Sequence, residues 1–360
     1  MHRPTTRRRR YYWLWLLLAL PMLASATMRV TFINPASASQ PFWLDTDQAL
    51  QAAAAQLAIK LTIVHAQGDK QNALHLAQQI IDRRSADYVL AVNVDGVGPE
   101  FIRLFNQAKI PIMLVLSDLG PAQLLKMGPP RQRFPYWLGS LTPDNLQAGE
   151  QVASALAAKM QGQNALLAAI AGDRVTPAGL QRQAGLLRAI RHHGGLHLAG
   201  MRYGFWQQQR SERQMRRMLK RHPNIKLVWA ANDTMAKGAI AALKTAGLTP
   251  GRDVFVGTFG NAPQSLRMLR SGELSVLATG HFLAPAYALT LLFDYQHGVD
   301  FGRRDGLQLQ IPLFHLMLPG TDLFNWIASR DWQRLNFRAI SKVLNPGPGR
   351  HDFSLHLREQ

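Results

Sequence analysis

The sequence predicts an α/β protein: two doubly wound, parallel-sheet lobes joined by a hinge and followed by a C-terminal extension. Three observations carry that prediction. The chain has 360 residues, too many for one ordinary domain. From residue 28 onward, short apolar runs alternate with amphipathic ones, the pattern of repeated strand–helix units. The alternation lapses in a Gly/Pro-rich stretch around 120–135 and then restarts, so two such series share one chain.

In the first series, 29–33 is a β-rich run closed by Asn34-Pro35. Leu50, Ala53, Ala54, Leu57 and Ala58 then recur at helical spacing. Residues 61–64 read as a strand, and Leu74, Ala77 and Ile81 as one face of a helix. The run 88–94 is apolar with one asparagine, as expected of a strand covered on both faces. Phe101, Leu104, Phe105 and Ala108 mark the next helix, and Pro111 sits near the start of a strand over 110–116, where a strand tolerates it. In the second series, helices are expected over 147–160, 180–190, 211–221 and 236–246, the last stopped by Gly247. Strands are expected over 165–170, 196–201, 225–230, 254–258 and 276–279, with a helix carrying Leu266 and Leu269 between the last two. The expected division is 27–138 plus about 282–309 for the first lobe, 139–281 plus about 310–325 for the second, and 326–360 for the extension.

Residues 1–26 have the layout of a cleavable secretory signal peptide. Arg3 and Arg7 to Arg10 form a basic n-region, an apolar stretch follows, and Ala24-Ser25-Ala26 offers small residues for cleavage. Tyr11 to Ala26 is 16 residues, short of the roughly 20 that a membrane-spanning helix needs. The paired arginines raise twin-arginine export, but no good consensus follows them. The mature chain is therefore expected in the periplasm, as a monomer. The sequence contains no cysteine, which excludes disulfides, thiolate metal sites, cysteine nucleophiles and a cysteine-linked lipid anchor. Such a protein must be held by its core.

The formal charge is +19, and +14 remains once the five leader arginines are removed. An excess of this size suits nucleic acid, an anionic membrane surface or an anionic partner. Export argues against nucleic acid. The densest group, Arg210, Arg213, Arg216, Arg217, Lys220 and Arg221, has helical spacing and reads as a solvated helix face.

Catalytic and metal chemistry finds little support. His192-His193 lacks any metal-ligand spacing and suits a helix C-terminus, where a cation is favoured. There is no Gly-x-Ser-x-Gly elbow and no phosphate loop. Asp45 and Asp47 read as a helix start rather than an acid/base couple. No catalytic residue, metal or cofactor is assigned. In doubly wound sheets, ligands sit beyond the carboxyl ends of the strands. The loops to inspect are therefore 34–43, 93–98, 117–120, 172–182, 204–206, 231–233, 257–261 and 280–282.

At these loops the sequence resembles the periplasmic sugar-binding proteins typified by the ribose- and galactose-binding proteins. Six local motifs, in the family's order and spacing, carry the resemblance across roughly 29–300. They are Gln40-Pro41-Phe42-Trp43, Asn106-Gln107-Ala108-Lys109-Ile110-Pro111, Arg182-x-x-Gly185-Leu186, Ala231-Asn232-Asp233-Thr234-Met235-Ala236, Val256-Gly257 and Gly272-Glu273-Leu274. The resemblance implies a hinged, Rossmann-like, two-lobed binder that closes on a small polar, sugar-like ligand. It also implies a membrane partner, either the permease of an ABC transporter or a sensor kinase or chemoreceptor.

By motif position, Phe42 and Trp43 are candidates to stack on a sugar ring, against the alternative of packing under their loop. Gln40 could add a hydrogen bond. Trp206 stands at the matching loop of the second lobe, which would make an aromatic jaw. Arg182 offers bidentate recognition of hydroxyls or carboxylate, against a surface ion pair. Asn232 offers donor and acceptor, with Asp233 expected to cap the following helix. Asn261 and His281 occupy places where the family has an aspartate and, nearby, a glutamine. The family's Asp-Arg after the fourth strand is replaced by Leu116-Ser117-Asp118, so Asp118 with Asp95 is the candidate substitute, against a cap or solvent role. These departures count against a simple pentose or hexose and leave a modified sugar, a polyol or another small polar metabolite open.

Overall fold

The computed structural model describes residues 27–358, so the expected signal peptide lies outside the described residues. The first lobe runs through β1 (Arg29–Asn34), α1 (Pro41–Gln56), β2 (Lys60–His65), α2 (Lys70–Arg83), β3 (Tyr88–Ala91), α3 (Gly98–Ala108), β4 (Ile112–Val115), α4 (Pro121–Met127) and β5 (Trp137–Pro143). The second lobe contains α5 (Asn145–Ala158), β6 (Ala165–Ala171), α6 (Pro177–His192), β7 (Leu196–Tyr203), α7 (Gln208–Arg221), β8 (Leu227–Ala230), α8 (Asp233–Thr245), β9 (Phe255–Phe259), α9 (Pro263–Arg270) and β10 (Val276–Thr279). The chain returns to the first lobe with α10 (Ala284–Gln296), α11 (Phe301–Arg304) and β11 (Gln308–Ile311), then crosses back to β12 (His315–Leu316). It ends with α12 (Asp322–Ser329) and α13 (Phe337–Ile340).

Each lobe is built on a six-stranded sheet, ordered β11-β5-β4-β3-β1-β2 in the first and β12-β10-β9-β8-β6-β7 in the second. Every pairing is parallel except that of the edge strand β12 with β10. Sheet membership makes the chain cross between lobes three times, after β5, after β10 and after β11. The inner strands β3, β4, β8 and β10 are buried at every position, because helices cover both faces. Their short, continuous apolar runs are the sequence signature of that environment.

The first lobe extends further than the expected limit at residue 138, because β5 runs through Pro143 and is wholly buried. Gly139 and Ser140 dilute its strand signal, yet Gly139 is required there. A Cβ on it would lie 2.1 Å from the Leu307 carbonyl oxygen, where β11 closes on β5. At the other end β11 reaches Ile311, past the expected 309. The helix α10 shows no amphipathic pattern because ten of its 13 residues are buried, including Tyr287 and Leu291.

The extension begins with α12 at Asp322, so the expected start at 326 falls inside a helix. Its helix sits on the second lobe, where the Arg270 guanidinium covers the Phe324 ring at 5.2 Å. The following segment sits on the first. Trp332 packs on Phe282 at 4.8 Å, and Gln56 of α1 holds the Leu335 carbonyl (2.8 Å) and the Phe337 amide (3.0 Å). Asp294 of α10 accepts from the Lys342 amide, and His351 is fully buried between Asp294 (2.8 Å) and Asp305 (2.5 Å).

Candidate functional site

The candidate site lies where the carboxyl ends of both sheets face each other. On the first lobe, Asn34 at the end of β1 donates to Asp47 (2.8 Å) and accepts from the Ala36 amide (3.0 Å). This fixes the start of α1 against the sheet. Pro41 opens that helix and so brings Phe42 and Trp43 to the cleft, edge to face at 5.0 Å. Both rings are half-buried.

Phe42 packs on His281, whose ring is stacked in turn on Phe314 at 4.5 Å. His281 and Phe314 belong to two of the three inter-lobe crossings, so this aromatic column runs along the hinge. Phe314 meets Phe259 edge-on at 5.8 Å, and the Arg182 guanidinium covers both rings, at 4.9 Å from Phe259 and 5.2 Å from Phe314. Arg182 is buried, and it donates to Asn145 (2.9 Å) and to the Ala231 carbonyl (2.8 Å). It is not a surface ion pair. Burial brings its pKa down to about 9, with nearby Asp233 opposing the fall. Burial, aided by the Arg182 charge, holds His281 well below its ordinary value, so the ring is neutral.

The Arg-x-x-Gly motif has a packing cause. A Cβ on Gly185 would lie 2.0 Å from the Leu146 carbonyl, and one on Gly149 would lie 2.1 Å from the Arg182 carbonyl. Only glycines let α5 and α6 approach closely enough for Arg182 to reach Asn145. Gly260 likewise makes room for the buried Asp233 carboxylate, which accepts from Ser265 (3.0 Å) and the Ala262 amide (3.2 Å). Burial raises the Asp233 pKa. The expected division of labour at 232–233 is reversed: Asn232 caps α8 by accepting from the Met235 amide at 2.8 Å, while Asp233 points inward. One short side chain reaches the free amide of the first turn, and the residue at N1 is left to face the site. The Nδ2 of Asn232 makes no hydrogen bond among the described residues.

Trp206 is on the second-lobe side of the cleft, in a left-handed backbone (φ 61°). Its indole N–H donates to Asp173 at 2.6 Å, and its six-membered ring fills the space where a Cβ on Gly172 or Gly179 would stand. No aromatic contact joins it to Phe42 or Trp43 among the described residues. Asp118 accepts from Ser140 (2.5 Å), the Leu119 amide (2.7 Å) and Gln308 (2.8 Å), tying β4, β5 and β11 together. Burial still raises its pKa. Gln40 and Asp95 are exposed, and neither side chain makes a hydrogen bond among the described residues.

Sequence patterns left out two important partners. Asn261 is buried and donates across the cleft to Asp45 of α1, which is itself fully buried. Arg330, from the extension, grips the same carboxylate through Nε (2.7 Å) and Nη2. Asp45 is thus neither a helix cap nor half of an acid/base pair. It joins first lobe, second lobe and extension. A second lobe-to-lobe approach is at Gly120, where a Cβ would stand 3.5 Å from Pro177. Nothing in the local sequence of Arg330, 285 residues away, marks it for this role.

Among the described residues, four buried side-chain atoms at or just beyond strand ends have no hydrogen-bond partner: Ser117 Oγ, Asn261 Oδ1, Thr279 Oγ1 and His281 Nδ1. Such atoms are costly unless something polar meets them. The arrangement suits a small polyhydroxylated molecule. It combines aromatic faces, a buried guanidinium and uncommitted donors and acceptors, and no group of three or more possible metal ligands is present among the described residues.

Comparison with known proteins fits this geometry. A family model described as a periplasmic binding protein domain matches residues 30–295. The D-allose-binding periplasmic protein of Escherichia coli K12 is 28% identical over 243 residues, covering 66% of this chain and 74% of that protein. The ribose import binding protein of Salmonella typhimurium is 26% identical, with the same coverage. Among solved structures, a periplasmic sugar-binding protein from Pseudomonas fluorescens superimposes with a TM-score of 0.81 at 34% identity, covering 91% of this chain and 98% of that one.

Proposed function

Because the chain belongs to the periplasmic binding protein family, we propose that it closes on a sugar or sugar-like ligand in the periplasm and delivers it to an ABC permease. The observation that supports this most is the set of buried, unpartnered polar atoms between the lobes, bordered by Phe42, Trp43, Phe259 and Arg182. The ligand-binding residues in this proposal are Phe42, Trp43, Arg182, Asn232, Asn261 and His281, with Trp206 and Asp118 held ready by their own partners. Relatives described as binding D-allose or ribose lend weight to a sugar. So do solved neighbours with bound D-allose, L-arabinofuranose or myo-inositol, whose range keeps furanoses and polyols within the proposal. No step makes or breaks a covalent bond, and the relatives are named as binding proteins.

Binding works by differential affinity: the ligand must favour the closed state to shift the equilibrium between open and closed lobes. The test is thermal unfolding of the mature protein against D-allose, D-ribose, L-arabinose and myo-inositol. A ligand at 100 times its Kd stabilises by about 2.7 kcal/mol. A saturable rise in Tm that disappears in Arg182→Met supports the proposal. No shift with any sugar or polyol, and no small molecule recovered from protein purified from periplasm, would sink it. A sensory role is the second reading, favoured by the extension and the basic surface. Copurification with a sensor kinase or chemoreceptor instead of a permease would select it.

A further inference from the structure

The positive charge of this chain is concentrated in one lobe. Residues 144–281 carry 18 Lys and Arg against seven Asp and Glu, a net +11, while the rest of 27–358 carries 18 against 14, a net +4. Within the second lobe the excess gathers on α7. Arg210, Arg213, Arg217 and Lys220 follow one another at i, i+3, i+7 and i+10, and with Arg221 they form a stripe about 16 Å long. The helix buries Ser211, Met215, Met218 and Leu219 on another face. Only Arg216 has an acidic partner, Glu212; the other five cations of α7 make no ion pair among the described residues.

The stripe ends at the mouth of the cleft on a built surface. The Arg210 guanidinium lies 3.8 Å from the centroid of Phe205, and that of Arg174 lies 4.5 Å from Tyr203. The two rings are 6.4 Å apart. Phe205 is 37% exposed, and Val175 and Leu180 nearby in the chain fold are 60% and 38% exposed. Phe205 and Trp206 are consecutive non-glycine residues in left-handed conformation, a backbone that costs energy and is held by the Phe205 amide bonding Gly172. Stacking fixes each guanidinium plane in advance, so less rotamer freedom is lost when its fork meets a carboxylate.

We infer that this flank of the second lobe is a docking surface for an acidic loop of a protein partner. Aspartate and glutamate of the partner meet the α7 stripe, and an apolar partner side chain covers Phe205 and Val175. A flat anionic lipid surface would use the charge but has no use for oriented guanidinium planes, so a protein is the better fit. The surface adjoins Trp206 and Asp173, which places the partner beside the ligand cleft. The inference does not depend on the identity of the ligand.

The test titrates the mature protein with a soluble fluorescent Glu-rich peptide carrying one leucine, in parallel with phosphatidylglycerol vesicles. The patch variant is Arg210→Ser with Arg213→Ser and Arg217→Ser. The control, with the same change in net charge, is Lys60→Ser with Arg83→Ser and Lys126→Ser, all exposed on the first lobe. Peptide affinity is expected to fall about tenfold in the patch variant and to stay within about twofold in the control, with steep weakening as salt rises. Phe205→Ser, which leaves the charge intact, is expected to weaken the peptide about threefold. Equal losses in the patch and control variants would reduce the effect to bulk charge and overturn the inference. Patch-dependent binding of the vesicles without binding of the peptide would overturn it in favour of a membrane surface.

Discussion

Replacing Arg330 with methionine isolates what the extension contributes to the joint between the lobes. Asp45 is fully buried and has two partners, Arg330 and Asn261. Removing the guanidinium leaves a buried carboxylate with a single amide donor. Breaking a buried pair costs about 3–5 kcal/mol, because the remaining charge is uncompensated. The Arg330 side chain is 24% exposed, so water can partly replace it. A loss of about 2–3 kcal/mol is therefore expected, or about 3–4 °C in Tm for a chain of this size. The assay is urea unfolding of wild type, Arg330→Met, Asp45→Asn and the double variant. In the Asp45→Asn background there is no charge to strand, so the second substitution should cost about 1–2 kcal/mol less than it does alone. The pH dependence has a definite sign. Burial raises the Asp45 pKa while Arg330 and Asn261 oppose it, so losing Arg330 raises it further. An acid whose folded pKa is raised favours the protonated fold at low pH. The penalty of Arg330→Met must then grow as pH rises through the titration of Asp45 and shrink as the carboxyl takes up its proton. An additive cycle, or a penalty independent of pH, would refute the claim that a stranded charge is what the substitution exposes.

Other perturbations probe the rest of the frame. Gly185→Ala would drive a methyl into the Leu146 carbonyl, prise α6 from α5 and displace Arg182. A loss of about 3 kcal/mol in urea unfolding, together with loss of ligand response, is expected. Trp206→Phe retains an aromatic side chain but deletes the indole N–H that donates to Asp173 and trims the packing on Gly172 and Gly179, for a cost of at least about 1–2 kcal/mol by thermal unfolding. His351 is a pH-dependent clamp on the tail. Burial opposes its charge, but hydrogen bonds to Asp294 and Asp305 prevail and raise its pKa above 6.5. Its contribution is present below the unfolded-state pKa and lost as pH rises through the folded one. Asp294, whose pKa is depressed despite burial by hydrogen bonds from His351, Ser341 and the Lys342 and Val343 amides, loses its contribution only at acid pH. Protection factors of the amides at 341–358, taken relative to base-catalysed intrinsic exchange, should therefore fall as pH rises above the ordinary histidine range, and constant protection factors would exclude the clamp.

The architecture was legible because the inner strands are buried on both faces. Runs such as those of β3 and β8 have no other reading beside amphipathic helices. What escaped periodicity lacked a wet face or an ordinary backbone. The helix α10 is buried nearly all round, and β5 carries Gly139 for a contact 168 positions along the chain. The site divides in the same way. Phe42, Trp43, Arg182 and His281 are linked in the fold through Phe314; the first three stand in motifs of the sequence, whereas His281 was marked only by its place beside a family glutamine. The capping role fell to Asn232 rather than Asp233, because two adjacent short polar residues carry the same local signal. Phe314 and Arg330 were invisible in sequence, since their partners come from the far side of the chain.

The extension grips each lobe by a different end, with α12 under Arg270 on one side and Trp332 against Phe282 on the other. Only Arg330 and its immediate neighbours Ser329 and Asp331 connect these two grips. Three residues, fully stretched, reach about 11 Å at most. While both grips hold, the extension acts as a short leash beside the hinge, and the gape at that edge cannot exceed the leash. Solute must then enter and leave through the opposite edge of the cleft, by tilting of the lobes rather than by their wholesale separation. A wider opening requires one grip to let go first, which would make the rate of solute exchange depend on how fast a tail outside the cleft detaches.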